Sequence, residues 1–435
     1  MDFTRSRLPG VFAAQSVLSS QTGLEWGIFS NPRQRQPHEQ HPSVVMPSFV
    51  SIMSIYLRLH ERPDFLSPKH MLINMYWSGN KPVIGVGHHF RVYGCPLSAL
   101  NLAPDKGLGN VPTGTEVLCI KVPNRSHETN RHDLYQAVLR ELRVLCHPSL
   151  SNHENIISLL GFDFEQDYDD PQVAWPVLVM ECSEYGTLHD FQQNAKDMTP
   201  DLLRRLLLDV ALGLDTLHQC NIIHGDMKSE NVLICRNGCR DFVAKLSDFG
   251  LAVINPAVDD VHFLPGGTWL WSAPEAKQRL SIVGLALTDV YSLGLMVWRS
   301  LLSEANPFDL LRSEHENVHG ALGLEEFVTQ AKSGEDFPEF AVCAILSSAR
   351  KDMAMSYGGK VIRSTVCKDP ANRDLKAAIS ALSNEDGYVL NLIALEEIIE
   401  KANETYKREV ENIVPNVEYW DLEDPHKILV NVSLI

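Results

Sequence analysis

Residues 221–250 read NIIHGDMKSENVLICRNGCRDFVAKLSDFG, and the side chains best able to do chemistry are gathered there. One group is His224-Gly225-Asp226-Met227-Lys228-Ser229-Glu230-Asn231, in which an acid precedes a lysine by two residues and an amide by five. The other is Asp248-Phe249-Gly250, with its acid 22 residues after Asp226. Between them the β-rich runs VLI and FVAKL flank the turn Arg236-Asn237-Gly238, so the two acidic centres sit on either side of a short β-hairpin. Asp-Phe-Gly alone recurs by chance in many turns, and a hydrophilic loop accounts for either group taken singly. Both groups at this spacing around a hairpin form a much more specific signal.

In these residues the chain resembles the eukaryotic protein kinase family, whose motifs read H-R-D-x-K-x-x-x-N and D-F-G. Here Gly225 replaces the arginine. The resemblance implies an α+β, bilobal fold, with a small β-rich N-lobe holding one key helix and a larger, mainly helical C-lobe. It implies that Asp226 accepts or orients a substrate hydroxyl proton and that Lys228 neutralises the phosphoryl in transit. Asn231 and Asp248 would hold Mg²⁺, a hard cation that prefers oxygen ligands. The cofactors implied are ATP and Mg²⁺.

The elements that must position these groups lie mostly upstream. Ile84-Gly85-Val86-Gly87-His88-His89-Phe90-Arg91-Val92 resembles the glycine-rich loop G-x-G-x-x-G-x-V, although Phe90 stands at the third glycine and an ordinary hairpin reads the same way. In Val117-Leu118-Cys119-Ile120-Lys121-Val122 a lysine lies among apolar neighbours and needs a counter-charge. The following HDLYQAVLRELRVLC places Leu134, Val138, Leu142 and Leu145 on one helical face, and Glu141 falls on the same stripe. By resemblance, Lys121 and Glu141 form the ion pair that clamps Lys121 onto the α- and β-phosphates. DFEQDYDDPQ reads as a solvated turn, and residues 177–182 as a buried strand running into an exposed linker. The resemblance places Ile84, Gly85, Gly87, Val92, Cys119 and Leu233 around the nucleotide. Met180 would stand behind the adenine, with the backbone of Glu181 and Cys182 meeting the purine edge.

Downstream, Thr199-Pro200-Asp201 supplies a hydroxyl N-cap followed by proline at the first helical position. Leu203, Leu207, Val210, Leu214 and Leu217 then give that helix a core face. Ala273-Pro274-Glu275 resembles the family's A-P-E segment, and Thr268 stands where Ser/Thr members place a threonine that bonds the catalytic Asp and Lys. Arg373 matches the late cation for Glu275, and Asp289 the helix acid that accepts hydrogen bonds from the catalytic-loop backbone.

The flanks are less informative. Residues 1–75 do not match the family; NPRQRQPHEQHP reads as a linker, and the apolar stretch after it as a helix packing on the folded domain. Residues 76–383 form the expected kinase domain, divided near 181 and 182, with a long Pro- and Gly-rich loop at 93–116 that is expected to be mobile. Residues 384–435 add an amphipathic helix over 388–413 and an acidic tail.

Composition sets outer bounds. With 38 Lys and Arg against 55 Asp and Glu, the 435 residues carry −17, which argues against nucleic acid or an anionic membrane as the main partner. Nine cysteines, an odd number without framework spacing, suit a reducing compartment, so a cytoplasmic location is expected with the nucleus open. Cys235 and Cys239 read as reduced thiols. No signal peptide or membrane insertion is expected, since the apolar run at 44–59 is broken by Pro47, serines and Arg58.

These readings point to transfer of the ATP γ-phosphoryl to Ser or Thr hydroxyls on protein substrates, Lys228 favouring these over tyrosine. Two alternatives stay open. His-Gly-Asp resembles phosphotransferases of small molecules such as aminoglycosides and choline, and a pseudokinase would bind partners without chemistry. Glu230 stands where family members often contact a basic peptide residue. Gly225, together with the absence of Ser, Thr or Tyr from 251 through 267, implies activity without activation-segment phosphorylation, with control by a partner through either flank.

Overall fold

The computed structural model describes residues 28–30, 42–60, 83–87, 89–97, 116–124, 130–166, 174–194, 198–237, 240–256, 260–302, 324–335, 337–346 and 357–383. Cys239, the 388–413 helix and most of the 93–116 loop lie outside them.

The N-lobe is an antiparallel sheet of β2 (Val83–Val86), β3 (Phe90–Pro96), β4 (Val117–Pro123), β5 (Leu159–Gln166) and β6 (Ala174–Glu181), in the order β2-β3-β4-β6-β5. The expected turn DFEQDYDDPQ begins later than its polarity suggested, because DFEQ continues β5 in pairing with β6. Strand alternation gives the sheet two faces. Leu118 and Ile120 of β4 pack with Cys95, Leu160, Val177 and Val179, whereas Cys119 joins the main core on the opposite side. Lys121, two residues on, shares that side.

On this face packs α2 (Arg131–Leu145), started by Asn130, whose side chain accepts from the His132 N–H. Its buried stripe is the one the sequence marked, and Glu141 on it is fully buried. The apolar stretch after the linker forms α1 (Pro42–His60), which packs on α2 and β5 as expected. Ile52, Ile55 and Leu59 enter the main core, and the Tyr56 ring meets Phe162 and Phe164 edge-on. The helix therefore braces the element that carries Glu141.

The C-lobe begins with α3 (Leu188–Asn194) and α4 (Pro200–Gln219). Thr199 Oγ1 caps α4 by accepting from Leu202 N at 3.1 Å, and the five leucine and valine positions of its core face are all buried. Two short ladders follow: β7 (Ile222–Ile223) with β10 (Val253–Ile254), and β8 (Val232–Asn237) with β9 (Arg240–Leu246). The second is the hairpin between the two acidic centres. The segment bearing Thr268 forms β11 (Gly266–Thr268), paired antiparallel with β1 (Ile28–Ser30).

The C-lobe axis is α5 (Ile282–Leu301), capped by Ser281 and, from Thr288 onward, buried except at Arg299. By length and composition α5 could cross a membrane, but its apolar surface is spent on the core. Gly294 lets the helix Gly359–Thr365 approach: a Cβ there would lie 2.2 Å from Thr365 Oγ1. The remaining C-lobe helices are α6 (Leu324–Lys332), α7 (Phe337–Leu346), α8 (Gly359–Thr365) and α9 (Leu375–Leu382); α7 and α8 pack on α5, and α9 on α8 and α4.

Ile52 is fully buried at the contact of α1 with the N-lobe. Truncating such a side chain loses both transfer energy and packing, so Ile52→Ala is expected to lower stability by about 2–5 kcal/mol in urea unfolding of the full chain. A change within about 0.5 kcal/mol would show that α1 does not brace the domain.

Candidate active site

Lys121 is buried, and three elements meet at its ammonium. It forms an ion pair with Glu141 and donates to Asp248 Oδ1 at 3.0 Å. The same Glu141 oxygen accepts the Phe249 N–H at 3.0 Å, so α2 is tied to the Asp-Phe-Gly turn as well as to β4. Burial works against the Lys121 charge, but Asp248 and Glu141 more than offset it and the ammonium is stabilised. Burial pushes Glu141 up to about 7, while Lys121 holds the half-exposed Asp248 carboxyl well below the usual range.

The second centre is assembled by the loop after β7. Asp289 on α5 accepts the N–H groups of His224 at 2.8 Å and Gly225 at 3.0 Å. Four donors converge on Asp226. Thr268 gives Oδ1 its N–H at 2.9 Å and its hydroxyl at 2.8 Å; Lys228 Nζ and Asn231 Nδ2 reach Oδ2 at 2.6 and 3.2 Å. Lys228 also donates to Thr268 Oγ1 at 2.9 Å. Burial opposes the Lys228 charge, but Asp226 outweighs it and keeps the ammonium protonated. Behind the platform Arg373 holds Glu275 through two nitrogens and stacks 4.7 Å from the centre of the Tyr291 ring.

The expected motifs thus occupy one cleft, with a charged clamp above and an ordered carboxylate below. The protein kinase domain family matches this chain over residues 110–381. The chain belongs to the protein kinase family. It is 30% identical over 257 residues to the probable serine/threonine-protein kinase roco7 of Dictyostelium discoideum, covering 57% of this chain and 9% of that protein. It is 32% identical over 219 residues to receptor-interacting serine/threonine-protein kinase 3 of Rattus norvegicus, covering 44% of each. A probable receptor-like protein kinase of Arabidopsis thaliana is 33% identical over 156 residues, 34% of this chain and 18% of the other. The chain spans less than half the length of these relatives. Strands β2 and β3 precede the matched span yet complete the sheet.

In this kinase domain Cys119 and Met180 belong to the main core cluster, and the half-buried Ile84, Val92, Cys182 and Leu233 pack against it. Gly85 pairs with Val92, and the Gly87 N–H donates to Phe90 O at 2.8 Å. The N–H of Glu181 donates to Ser158 O at 3.1 Å. Asn231 and Asp248 offer oxygen donors, and among the described residues no cluster of three or more His, Cys, Asp or Glu competes for a metal. Two protein oxygens suit Mg²⁺, which usually completes its shell with phosphates and water.

Several features depart from expectation. Phe90, read as a missing glycine, is buried with its ring centre 4.3 Å from Lys121 Nζ, a cation–π contact. Glu230, the proposed contact for a basic peptide, is paired with Arg299 of α5 at 3.3 Å. Arg299 also meets His189 Nδ1 at 2.8 Å and lies 5.5 Å from the centre of the Trp271 ring. Cys119 and Cys182 are paired as a disulfide with Cα atoms 4.9 Å apart, whereas Cys235 is a free, buried thiol whose burial pushes its pKa well up. Gly225 has φ +78°, and a Cβ there would lie 2.7 Å from Leu251 O.

Lys332, at the end of α6, carried no sequence signal. It is buried and donates to the carbonyls of Trp269 at 3.3 Å, Leu270 at 3.2 Å and Ser272 at 2.6 Å, gripping the segment after Thr268. Burial pushes its ammonium down to about 7. Since that lies below an unfolded lysine value of roughly 10.4, the unfolded chain takes the proton first. Stability therefore rises with pH from about 7 toward 10. Lys332→Met is expected to be less stable at every pH and to lose that slope, as read from urea midpoints at pH 7 and 9. Equal slopes in both proteins would refute the burial effect.

Proposed function

We propose that the chain is a protein kinase that uses ATP and Mg²⁺ to phosphorylate Ser or Thr hydroxyls of proteins. The observation that carries this reading is the ordered Asp226 carboxylate, with Lys228 and Thr268 fixed on it. When bound, Mg-ATP supplies the phosphoryl group. The donors on Asp226 orient it toward an incoming hydroxyl, whose proton it can accept, and Lys228 provides a positive charge beside that oxygen. Lys121, held by Glu141, presents its ammonium to phosphate, and Asn231 and Asp248 supply the metal's protein oxygens. The Glu275–Arg373 pair supports the segment after Thr268 as a platform for a peptide, which favours protein over small-molecule substrates.

Pairing with Arg299 neutralises Glu230, so a strong preference for basic peptides is not part of this reading. Gly225 supports activity without activation-segment phosphorylation. We also place the chain in the cytoplasm, as the cysteine usage suggests, with regulatory partners acting through its flanks.

The test is incubation with labelled ATP, Mg²⁺ and a general protein substrate, beside Asp226→Asn. Phosphoserine and phosphothreonine are expected from the wild type, with at least a hundredfold loss in the variant, given the usual weight of a positioned base. Phosphatase treatment beforehand should leave turnover intact. Equal labelling in both proteins would overturn the reading, and labelling of amino sugars alone would favour a small-molecule phosphotransferase.

One observation favours a pseudokinase instead, the Phe90 ring seated on Lys121. If the ring obstructs phosphate, Phe90→Gly should tighten ATP binding by about tenfold in titration calorimetry, the equivalent of roughly 1.4 kcal/mol. Transfer by the wild type would exclude the pseudokinase, whereas binding in neither protein would support it.

A further inference from the structure

We infer that Cys119 and Cys182 form a reversible redox gate on the purine end of the cleft. The inference rests on the nucleotide site proposed above. Cys119 lies on β4 opposite Met180 of β6, and Cys182 is the first residue beyond β6, so the register brings them together from positions 63 residues apart. Their Cα separation of 4.9 Å falls within the span of about 4.4–6.8 Å that a disulfide bridges. Alternation puts Cys119 on the Lys121 side of the strand, and both cysteines belong to the same apolar cluster as Ile84, Val92, Met180 and Leu233.

A purine must slide between these apolar walls, with its edge against the linker that begins at Cys182. The disulfide ties the linker to the roof strand at that place. It puts two sulfurs on the cleft face and removes the freedom of the linker to separate from β4. Oxidation therefore narrows the slot, and reduction opens it.

A peroxide supplies the oxidant. Cys182, the more exposed partner, attacks the peroxide oxygen as thiolate and becomes a sulfenic acid as the O–O bond breaks and water leaves. Cys119 then attacks that sulfur, the S–S bond forms and a second water departs. Two thiols lose two electrons in all, and hydrogen peroxide is reduced to two waters. A dithiol reverses the step by exchange.

The full chain is to be treated with dithiothreitol or hydrogen peroxide, mapped by peptide mass spectrometry and titrated with a fluorescent ADP analogue. The expected result is a Cys119–Cys182 peptide in the oxidised sample, at least tenfold weaker nucleotide binding, and recovery with dithiothreitol. Cys182→Ser should bind nucleotide equally before and after peroxide. Unchanged affinity in mapped, cross-linked protein would overturn the gate, as would the absence of this peptide after peroxide. Failure of the fully reduced chain to bind the analogue would instead remove the nucleotide site itself and the gate with it.

Discussion

A buried ammonium cannot be left unpaired, since the penalty for stripping its water is several kcal/mol. Lys121 satisfies this constraint with two carboxylates from separate parts of the chain, Glu141 on α2 and Asp248 after β9. The two buried charges, Lys121 and Glu141, are tolerable only beside each other and Asp248. The position of α2 against the sheet and the conformation of the Asp-Phe-Gly turn are thus fixed together. The Phe249 N–H on Glu141 adds a backbone tie, and Phe249 itself is fully buried against His224. Packing of α1 against α2 then serves the cleft directly, because any shift of α2 would leave Lys121 with an incomplete shell.

The lower half of the site obeys the same logic with backbone donors. Asp289 rises from the most buried helix of the C-lobe and fixes the loop through two N–H groups, so the rigidity of α5 passes to Asp226. From the other side Lys332 holds three carbonyls of the segment that carries Thr268. Asp226 receives Thr268 and Lys228 from a frame gripped at both ends. A carboxylate so surrounded loses little freedom when a hydroxyl arrives, and this preorganisation is what makes it useful for chemistry.

Much of this was legible before any coordinates. Lys121 and Glu141 stood out because each is a charge inside an apolar pattern, and such a charge implies a partner. Resemblance to the kinase motifs marks Asp226, Asn231 and Asp248, and the same resemblance marks Arg373 as the partner of Glu275. Other features had no such signature. Lys332 pairs with carbonyls, which every residue carries, so nothing in its neighbours identifies its role. The contacts of Cys119 with Cys182 and of Glu230 with Arg299 depend on the register of β4 with β6 and the placement of α5, which local periodicity does not set. A lost glycine at position 90 says that a side chain exists there, but only the alternation of β3 shows that its ring enters the cleft rather than solvent.

Gly225 shows how one backbone constraint limits the means of control. The hydrogen bonds to Asp289 draw the loop into a left-handed turn at that residue, and Leu251 O closes over the place where a side chain would begin. An arginine there would meet both the cost of that conformation, about 1–3 kcal/mol, and a collision with the segment following Asp-Phe-Gly. A phosphate on the activation segment has no cation at this position to engage, and the segment from 251 through 267 offers no hydroxyl to carry one. What can still be moved lies on the N-lobe side of the cleft, where Phe90 covers Lys121 and the cysteine pair joins the roof to the linker. Neither contact involves the donors that align Asp226, so the two halves of the site are built from separate sets of interactions.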